Sequence, residues 1–291
     1  MIKPVSYHKK LEGKSNAHLI TFNDGNDYVV KFFQSGFEKT LPNEWIGYCL
    51  ARYLQLPVPY GRIVDIENDF RLEMMKKEQE NTKPNDERNE QEDISSNGLL
   101  SPQEERKVAT QTLSSDTRYQ FASLYVPNCE DGHHVGKIHS LSNSSMMARI
   151  ILFDYWLANR DRTRKNILFQ QQEEGVYTLW AIDQAEILGS FNWEQADLEK
   201  LPNGIIKSAA HKMMARFIEN ENEFYQQLEF IQTMPILLIE EIVDMIPDEW
   251  GVSKEEKKAI VTTLLFRRDK VLPKLIRRFI QKVYQFMKKD N

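Results

Sequence analysis

Residues 159–169 read NRDRTRKNILF, and residues 181–186 read AIDQAE. In the first stretch, four residues separate Asp161 from Asn166, and an apolar run follows. In the second, Asp183 comes directly after an apolar run. Upstream, SMMARIILFDYWLANR (145–160) keeps its apolar residues at helical spacing. Downstream, NILF and YTLWAI are short strand-like runs separated by the polar turn QQEEG. Asp161 and Asn166 therefore fall in a loop between a helix and a strand, where both side chains can aim at one point. Asp183 ends the second strand. Carboxylate and amide oxygens are hard ligands suited to Mg2+. An aspartate followed five positions later by an asparagine is common by chance. The same pair followed by a strand, a turn and a second strand ending in Asp is much less so. Taken alone, the stretch also reads as a charged turn.

Working outward toward the N-terminus, HLITF (18–22) and DYVVKFF (27–33) are β-branched and aromatic runs around the hairpin signal NDGN. NEWIGYCLARYLQL (43–56) has helical spacing and is stopped by PVP (57–59). YGRIVDI and FRLEMM read as further strands, and YQFASLYVP (119–127) as another. Phosphoryl transfer needs a cation on the nucleotide phosphates, oxygen ligands for Mg2+, and a group orienting the acceptor hydroxyl. Lys31 ends an apolar strand and points opposite to Val30. Glu44 lies 13 residues later, near the start of the next helix, where it can hold the Lys31 ammonium extended. In GKSN (13–16), Gly13 permits close approach and Ser15 can touch a phosphate, although a plain turn explains the glycine equally well. The backbone around Ser123 and Tyr125 is positioned, by chain order, to meet an adenine edge.

VVKF, NEWIGYCLARYLQLPVP, FDYWLANRDRTRKNILF and WAID, in this order, resemble the HipA-like kinase family. The DRxxxN form of the loop is also similar to phosphatidylinositol kinases. The similarity runs from about residue 10 to 190, with weaker echoes at PDEW (247–250) and LLFRRD (264–269). The resemblance implies an α+β, two-lobed, protein-kinase-like fold. A small β-rich nucleotide-binding lobe would occupy residues 1–126, and a larger helical catalytic lobe residues 127–291. It implies ATP and Mg2+ as cofactors, with Lys31 on the phosphates, Glu44 as its partner and Asp161 as the catalytic aspartate. Asn166 and Asp183 would hold the metal. The sequence departs from the pattern in three places. Thr163 stands where such loops often have His, QAE after Asp183 has no glycine, and the phosphate loop is poor in glycine. The family includes toxin kinases that phosphorylate a protein and pair with a DNA-binding antitoxin, and nothing in the sequence specifies such a substrate or partner.

The rest of the chain bounds this reading. A net charge of −5 and 41% apolar residues over 291 positions suit one large domain or two lobes sharing a cleft. There is no global basic field, no DNA-binding motif, no apolar leader and no run long enough to span a bilayer, so a cytoplasmic protein is expected. Residues 76–118 form a polar stretch read as a mobile insertion, in which Ser101, Pro102 and Glu104 suit a short helix start. Cys49 and Cys129 read as inert thiols, and His133, His134 and His139 as a polar loop rather than a metal site. Residues 267–289 hold nine Lys or Arg and one acid, a terminal helix with a basic face that suits either solvent or an anionic partner. Arg160, Arg162, Arg164 and Lys165 are candidates for phosphate or acceptor contacts. The acceptor is expected to be a Ser or Thr of a protein. A small molecule or lipid, or a catalytically weak nucleotide-binding scaffold, are the alternatives.

Overall fold

The computed structural model describes residues 2–13, 15–82 and 117–289. In chain order the first half contains strands β1 (Pro4–Lys10), β2 (Ala17–Phe22) and β3 (Asp27–Lys31), helix α1 (Thr40–Tyr53), strand β4 (Gly61–Asp65), helix α2 (Asn68–Thr82) and strand β5 (Tyr119–Leu124). The strands form one sheet in the order β1-β2-β3-β5-β4, antiparallel throughout. Alternation along the strands decides its two faces. His18, Ile20 and Phe22 share one face with Tyr28 and Val30, their cross-strand neighbours, and this face packs under Phe70 and Met74 of α2. Lys31 pairs with Ala17 and points to the opposite face.

Two expectations are corrected here. FRLEMM is not a strand but part of α2. Arg71 and Met74 are buried while Phe70 and Glu78 are half-buried, which is helical spacing, and a run of six residues was too short to reveal it. Residues 76–82, read as the start of a mobile insertion, continue the same helix. Residues 83–116 of that insertion, including the short helix expected at Ser101, lie outside the described residues, while Thr117 and Arg118 lead directly into β5. The edge strand β1 was not expected either, because its largely exposed PVSYHKK carries almost no apolar pattern.

The second half opens with β6 (Cys129–Asp131) and β7 (Ser140–Leu141), then α3 (Met147–Trp156), β8 (Ile167–Glu173) and β9 (Val176–Ala181). The four strands form a second sheet in the order β6-β8-β9-β7. Helices follow: α4 (Gln195–Leu198), α5 (Ala209–Ala215), α6 (Asn222–Gln232), α7 (Ile236–Asp244) and α8 (Lys254–Phe266). The start of α8 is a capping box, with Ser253 Oγ accepting from Glu256 N at 3.1 Å and Glu256 Oε2 accepting from Ser253 N at 2.9 Å. Helix α8 runs on through a π turn at Arg267–Val271 into α9 (Leu272–Phe279), and through a second π turn at Ile280–Tyr284 into α10 (Gln285–Lys289). Pro273 sits in the first turn of α9, and the preceding π turn rearranges the backbone where a proline offers no N–H. A β-rich first part and a helix-rich second part are thus the architecture that the resemblance implied.

The cores divide unequally. The outer face of the first sheet and α2 form a small apolar cluster of their own. By contrast, Leu41, Ile46 and Leu50 of α1, with Leu54 just past its end, belong to the same large core as α3 and the C-terminal helices. Trp45 Nε1 donates to Ile242 O of α7 at 2.9 Å. Helix α1 is therefore packed as a member of the second half.

Candidate active site

Lys31, Glu44 and Asp183 meet although they are far apart in sequence. Lys31 Nζ donates to Glu44 Oε1 at 2.5 Å and to Asp183 Oδ1 at 2.7 Å. Strand β3 ends at Lys31, α1 begins four residues before Glu44, and Asp183 follows β9. Asp183 has φ 60°, a left-handed conformation that aspartate tolerates better than most residues. The bend lets Asp183 Oδ1 also accept the Ala185 amide at 3.2 Å. The Lys31 and Glu44 side chains are 9% and 5% exposed, whereas that of Asp183 is 27% exposed. The cation is thus gripped from the protein side, and Asp183 is the member open toward solvent. Burial opposes the Lys31 charge, but the carboxylates of Asp183 and Glu44 outweigh it and hold the ammonium protonated. Burial also opposes the charge on Asp183, and Lys31 overcomes it, keeping the carboxyl below its ordinary range. Glu44 is more deeply enclosed, and burial pushes its carboxyl up to about 7 against the pull of Lys31.

The 159–169 loop is held differently. Asn166 Nδ2 donates to Asp161 Oδ2 at 2.8 Å and to Asp161 O at 2.6 Å. This fixes the amide, and neither Asn166 Oδ1 nor Asp161 Oδ1 has a hydrogen-bond partner among the described residues. The β8–β9 ladder pairs Ile167 with Ala181, and Ile182 N donates to Asn166 O at 3.1 Å. Asn166 and Asp183 therefore sit at the same end of one hairpin. Their oxygens form a donor set that fits a hard divalent cation.

One loop residue behaves otherwise than expected. Arg162 is 1% exposed and touches neither solvent nor cleft, so it is unsuited to the phosphate or acceptor contact considered for it. Its Nε donates to Asp154 Oδ2 at 3.0 Å, its Nη1 to Asn166 O at 2.9 Å and to Ile182 O, and its Nη2 to Gln184 Oε1 at 3.0 Å. Asp154 is fully buried in α3 and also accepts from His211 Nε2 at 2.8 Å and Asn159 Nδ2 at 3.0 Å. Burial raises the cost of its charge, and Arg162 with His211 more than offsets it, so the carboxyl is held below its usual range. Arg162 thus ties α3, the loop and the end of β9 into one unit. The signal for this was present in FDYW: a carboxylate inside an otherwise apolar helix must find partners. Arg160, Arg164 and Lys165 remain exposed.

The remaining candidates lie at the Lys31 end of the first sheet, on its interior strand β5, or in the second half of the chain. Leu11 N donates to Ala17 O at 2.8 Å and closes the turn that carries Gly13 and Ser15. Because Ala17 pairs with Lys31, that turn lies at the Lys31 end of the sheet. Gly13 has φ +137°, a backbone conformation that favours glycine, with open space around it. Ser123 lies inside the sheet between Val29 and Gly61. The amides that follow it are engaged, Leu124 N with Tyr60 O at 2.7 Å and Tyr125 N with Asp27 O at 2.8 Å. His134 Nδ1 lies 2.9 Å from Asp131 Oδ1 in the polar loop. Of the nine C-terminal cations, Arg267 and Arg268 are buried, donating to Tyr155 O, Trp156 O and Met234 O. Any anionic partner would meet only the others.

The fold has known counterparts. A proinflammatory kinase of Helicobacter pylori, CtkA, superposes with a TM-score of 0.55 at 15% identity, over 95% of this chain and 96% of that one. A Golgi casein kinase with Mn and ADP bound superposes with a TM-score of 0.50 at 13% identity, over 98% of this chain and 75% of that one. A search of curated proteins finds no match. The model of the HipA-like kinase family matches residues 6–86 and 98–282, most of the chain. The chain belongs to the HipA-like kinase family.

Proposed function

We propose that this kinase transfers the γ-phosphoryl group of ATP to a Ser or Thr hydroxyl of a protein, with Mg2+ as the metal. The observation that carries this reading is the convergence of Lys31 on Glu44 and Asp183 beside the Asp161–Asn166 loop. Residues 1–126 serve as the nucleotide-binding lobe and residues 127–291 as the catalytic lobe. Lys31, kept charged and extended by Glu44, neutralises nucleotide phosphates. The Gly13–Ser15 turn supplies backbone donors at the same end of the sheet, and the segment after Ser123 borders the base. Asn166 Oδ1 and the Asp183 carboxylate hold the metal, which when bound supplies positive charge to the transferring phosphoryl group. Asp161 Oδ1 orients the acceptor hydroxyl and takes its proton as the new bond to the γ-phosphorus forms, the bond from that phosphorus to the β-phosphate oxygen breaks and ADP leaves. Beside this proton transfer, proximity and electrostatics carry most of the catalysis, as is general for phosphoryl transfer. A fold neighbour that holds Mn and ADP is consistent with nucleotide and metal in such a cleft. A cytoplasmic setting is part of the same proposal; Cys49 and Cys129 form no disulfide. No helix among the described residues is long and apolar enough to cross a membrane.

The test is transfer from γ-labelled ATP in the presence of Mg2+, read on the protein itself, on protein acceptors and on lipid and small-molecule fractions. Asp161→Asn and Asp183→Asn are each expected to abolish labelling while the circular-dichroism spectrum stays that of the wild type. Undiminished labelling in both variants would overturn the assignment. Labelling confined to lipid or small molecules would replace the protein acceptor.

A further inference from the structure

Among the buried polar groups of the described residues, Asn43 has the least obvious purpose. It precedes Glu44 on α1, is 0% exposed, and uses both ends of its amide on a segment about 150 residues away in sequence. Asn43 Nδ2 lies 2.6 Å from Ala185 O, 3.1 Å from Ile187 O and 2.9 Å from Ser190 O. Asn43 Oδ1 accepts from Trp193 Nε1 at 2.9 Å. The amide orientation follows from chemistry alone. Backbone carbonyls only accept and an indole N–H only donates, so nitrogen must face the former and oxygen the latter. Neither Asp nor Leu could satisfy the same six-residue arc from Ala185 to Ser190, since neither offers N–H groups. Around this amide the contacts continue: Gln184 N donates to Glu44 Oε1 at 2.9 Å, Lys39 N donates to Phe191 O at 2.9 Å, and Phe37 stacks on Phe191 at 4.2 Å.

We propose that Asn43 is a positioning residue for phosphoryl transfer: it locks the first turn of α1 to the segment after Asp183, so that Glu44 and Asp183 hold Lys31 together without help from a partner protein. This rests on the kinase reading given above, because Asn43 acts only through Lys31 and Asp183 and touches no reactant. Two independent features agree with it. Helix α1 shares the large core of the second half, so it has no separate interface along which to swing. A Cβ built on Gly47, the next helical turn, would lie 2.6 Å from Gln184 Cβ, which shows how closely α1 and this segment approach.

The test is a kinetic cycle of Asn43→Ser and Lys31→Met, read as single-turnover hydrolysis of Mg·ATP and transfer to dephosphorylated casein. Hydrogen exchange at the amides of Gln184 and Ala185 is followed in parallel. In the wild-type background, Asn43→Ser is expected to lower the rate constant about 100-fold, the usual cost of misplacing a reacting group by about an ångström. In the Lys31→Met background the same substitution should change the rate less than about threefold, because groups that act as one unit are not additive. Exchange at Gln184 should rise at least about tenfold while the core of α8 stays protected. Because Asn43→Ser removes much of a buried network, Trp193→Phe, which removes the hydrogen bond to Asn43 Oδ1 but leaves the Asn43 amide and its carbonyl contacts in place, serves as the second variant and should move both readouts in the same direction. Equal losses in both backgrounds would make Asn43 merely structural and overturn the proposal, as would unchanged exchange at Gln184. A wild-type protein that hydrolyses no ATP, with Lys31→Met indistinguishable from it, would refute the kinase reading instead. The exchange data would then still decide whether Asn43 locks α1.

Discussion

Arg162 and Asp154 are fully enclosed, and the cost of separating them is calculable. Replacing Asp154 with Leu leaves the guanidinium with Asn166 O, Ile182 O and Gln184 Oε1, but without its counter-charge. Replacing Arg162 with Met leaves the carboxylate with only His211 and Asn159. Removing one partner of a buried pair costs about 3–5 kcal/mol, because the other charge stays desolvated. Each single variant should therefore lose roughly 4 kcal/mol, and for a chain of this size that lowers the melting temperature by roughly 10 °C. The double variant removes both charges and restores apolar contacts, so its loss should fall at least about 2 kcal/mol short of the sum of the singles. Urea unfolding followed by tryptophan fluorescence is a suitable assay, since Trp156 lies two residues from Asp154 in the same helix. Losses that simply add, or an Arg162→Met cost below about 1 kcal/mol as for an exposed pair, would refute a coupled buried network.

Other outcomes follow from the same geometry. Glu44 has a folded-state value raised to about 7, so the stability it contributes is complete below its ordinary value near ~4.3 and is lost as pH rises through about 7. Without nucleotide, the wild type should lose thermal stability over that window and Glu44→Gln should not; parallel melting curves would contradict the raised value. Gly47→Ala gains about 0.8–1 kcal/mol of helix propensity but places a methyl 2.6 Å from Gln184 Cβ, so it should destabilise the protein and slow transfer. A more stable and fully active Gly47→Ala protein would show that α1 need not lie so close. Mg·ATP at 100 times its dissociation constant should add about 2.7 kcal/mol of stability, and no shift on calorimetry would favour a scaffold without nucleotide.

The residues legible in the sequence share a property. Lys31, Asp161, Asn166 and Asp183 stand at the ends of strands or in the loop between a helix and a strand, so periodicity located them. Glu44 was legible because an amphipathic run follows it. Arg162 was not, because a run of four basic residues looks alike from outside, and only burial separates the one that turns inward from Arg160, Arg164 and Lys165. Asn43 was missed because three of its four partners are backbone carbonyls, which leave no mark on composition, and the fourth, Trp193, lies 150 residues away. The strands β6 and β7 are two or three residues long, below the length at which alternation carries information. FRLEMM failed for the same reason.

The measurement that bears most directly on the cleft is a crystal structure with a non-hydrolysable ATP analogue and Mn2+, the metal located by its anomalous signal. The metal is expected within about 2.0–2.3 Å of Asn166 Oδ1 and the Asp183 carboxylate, with Lys31 Nζ on the phosphates and Asp161 Oδ1 facing the γ-phosphoryl group. A nucleotide bound elsewhere, or a triphosphate in the cleft with no metal on Asn166 and Asp183, would contradict it.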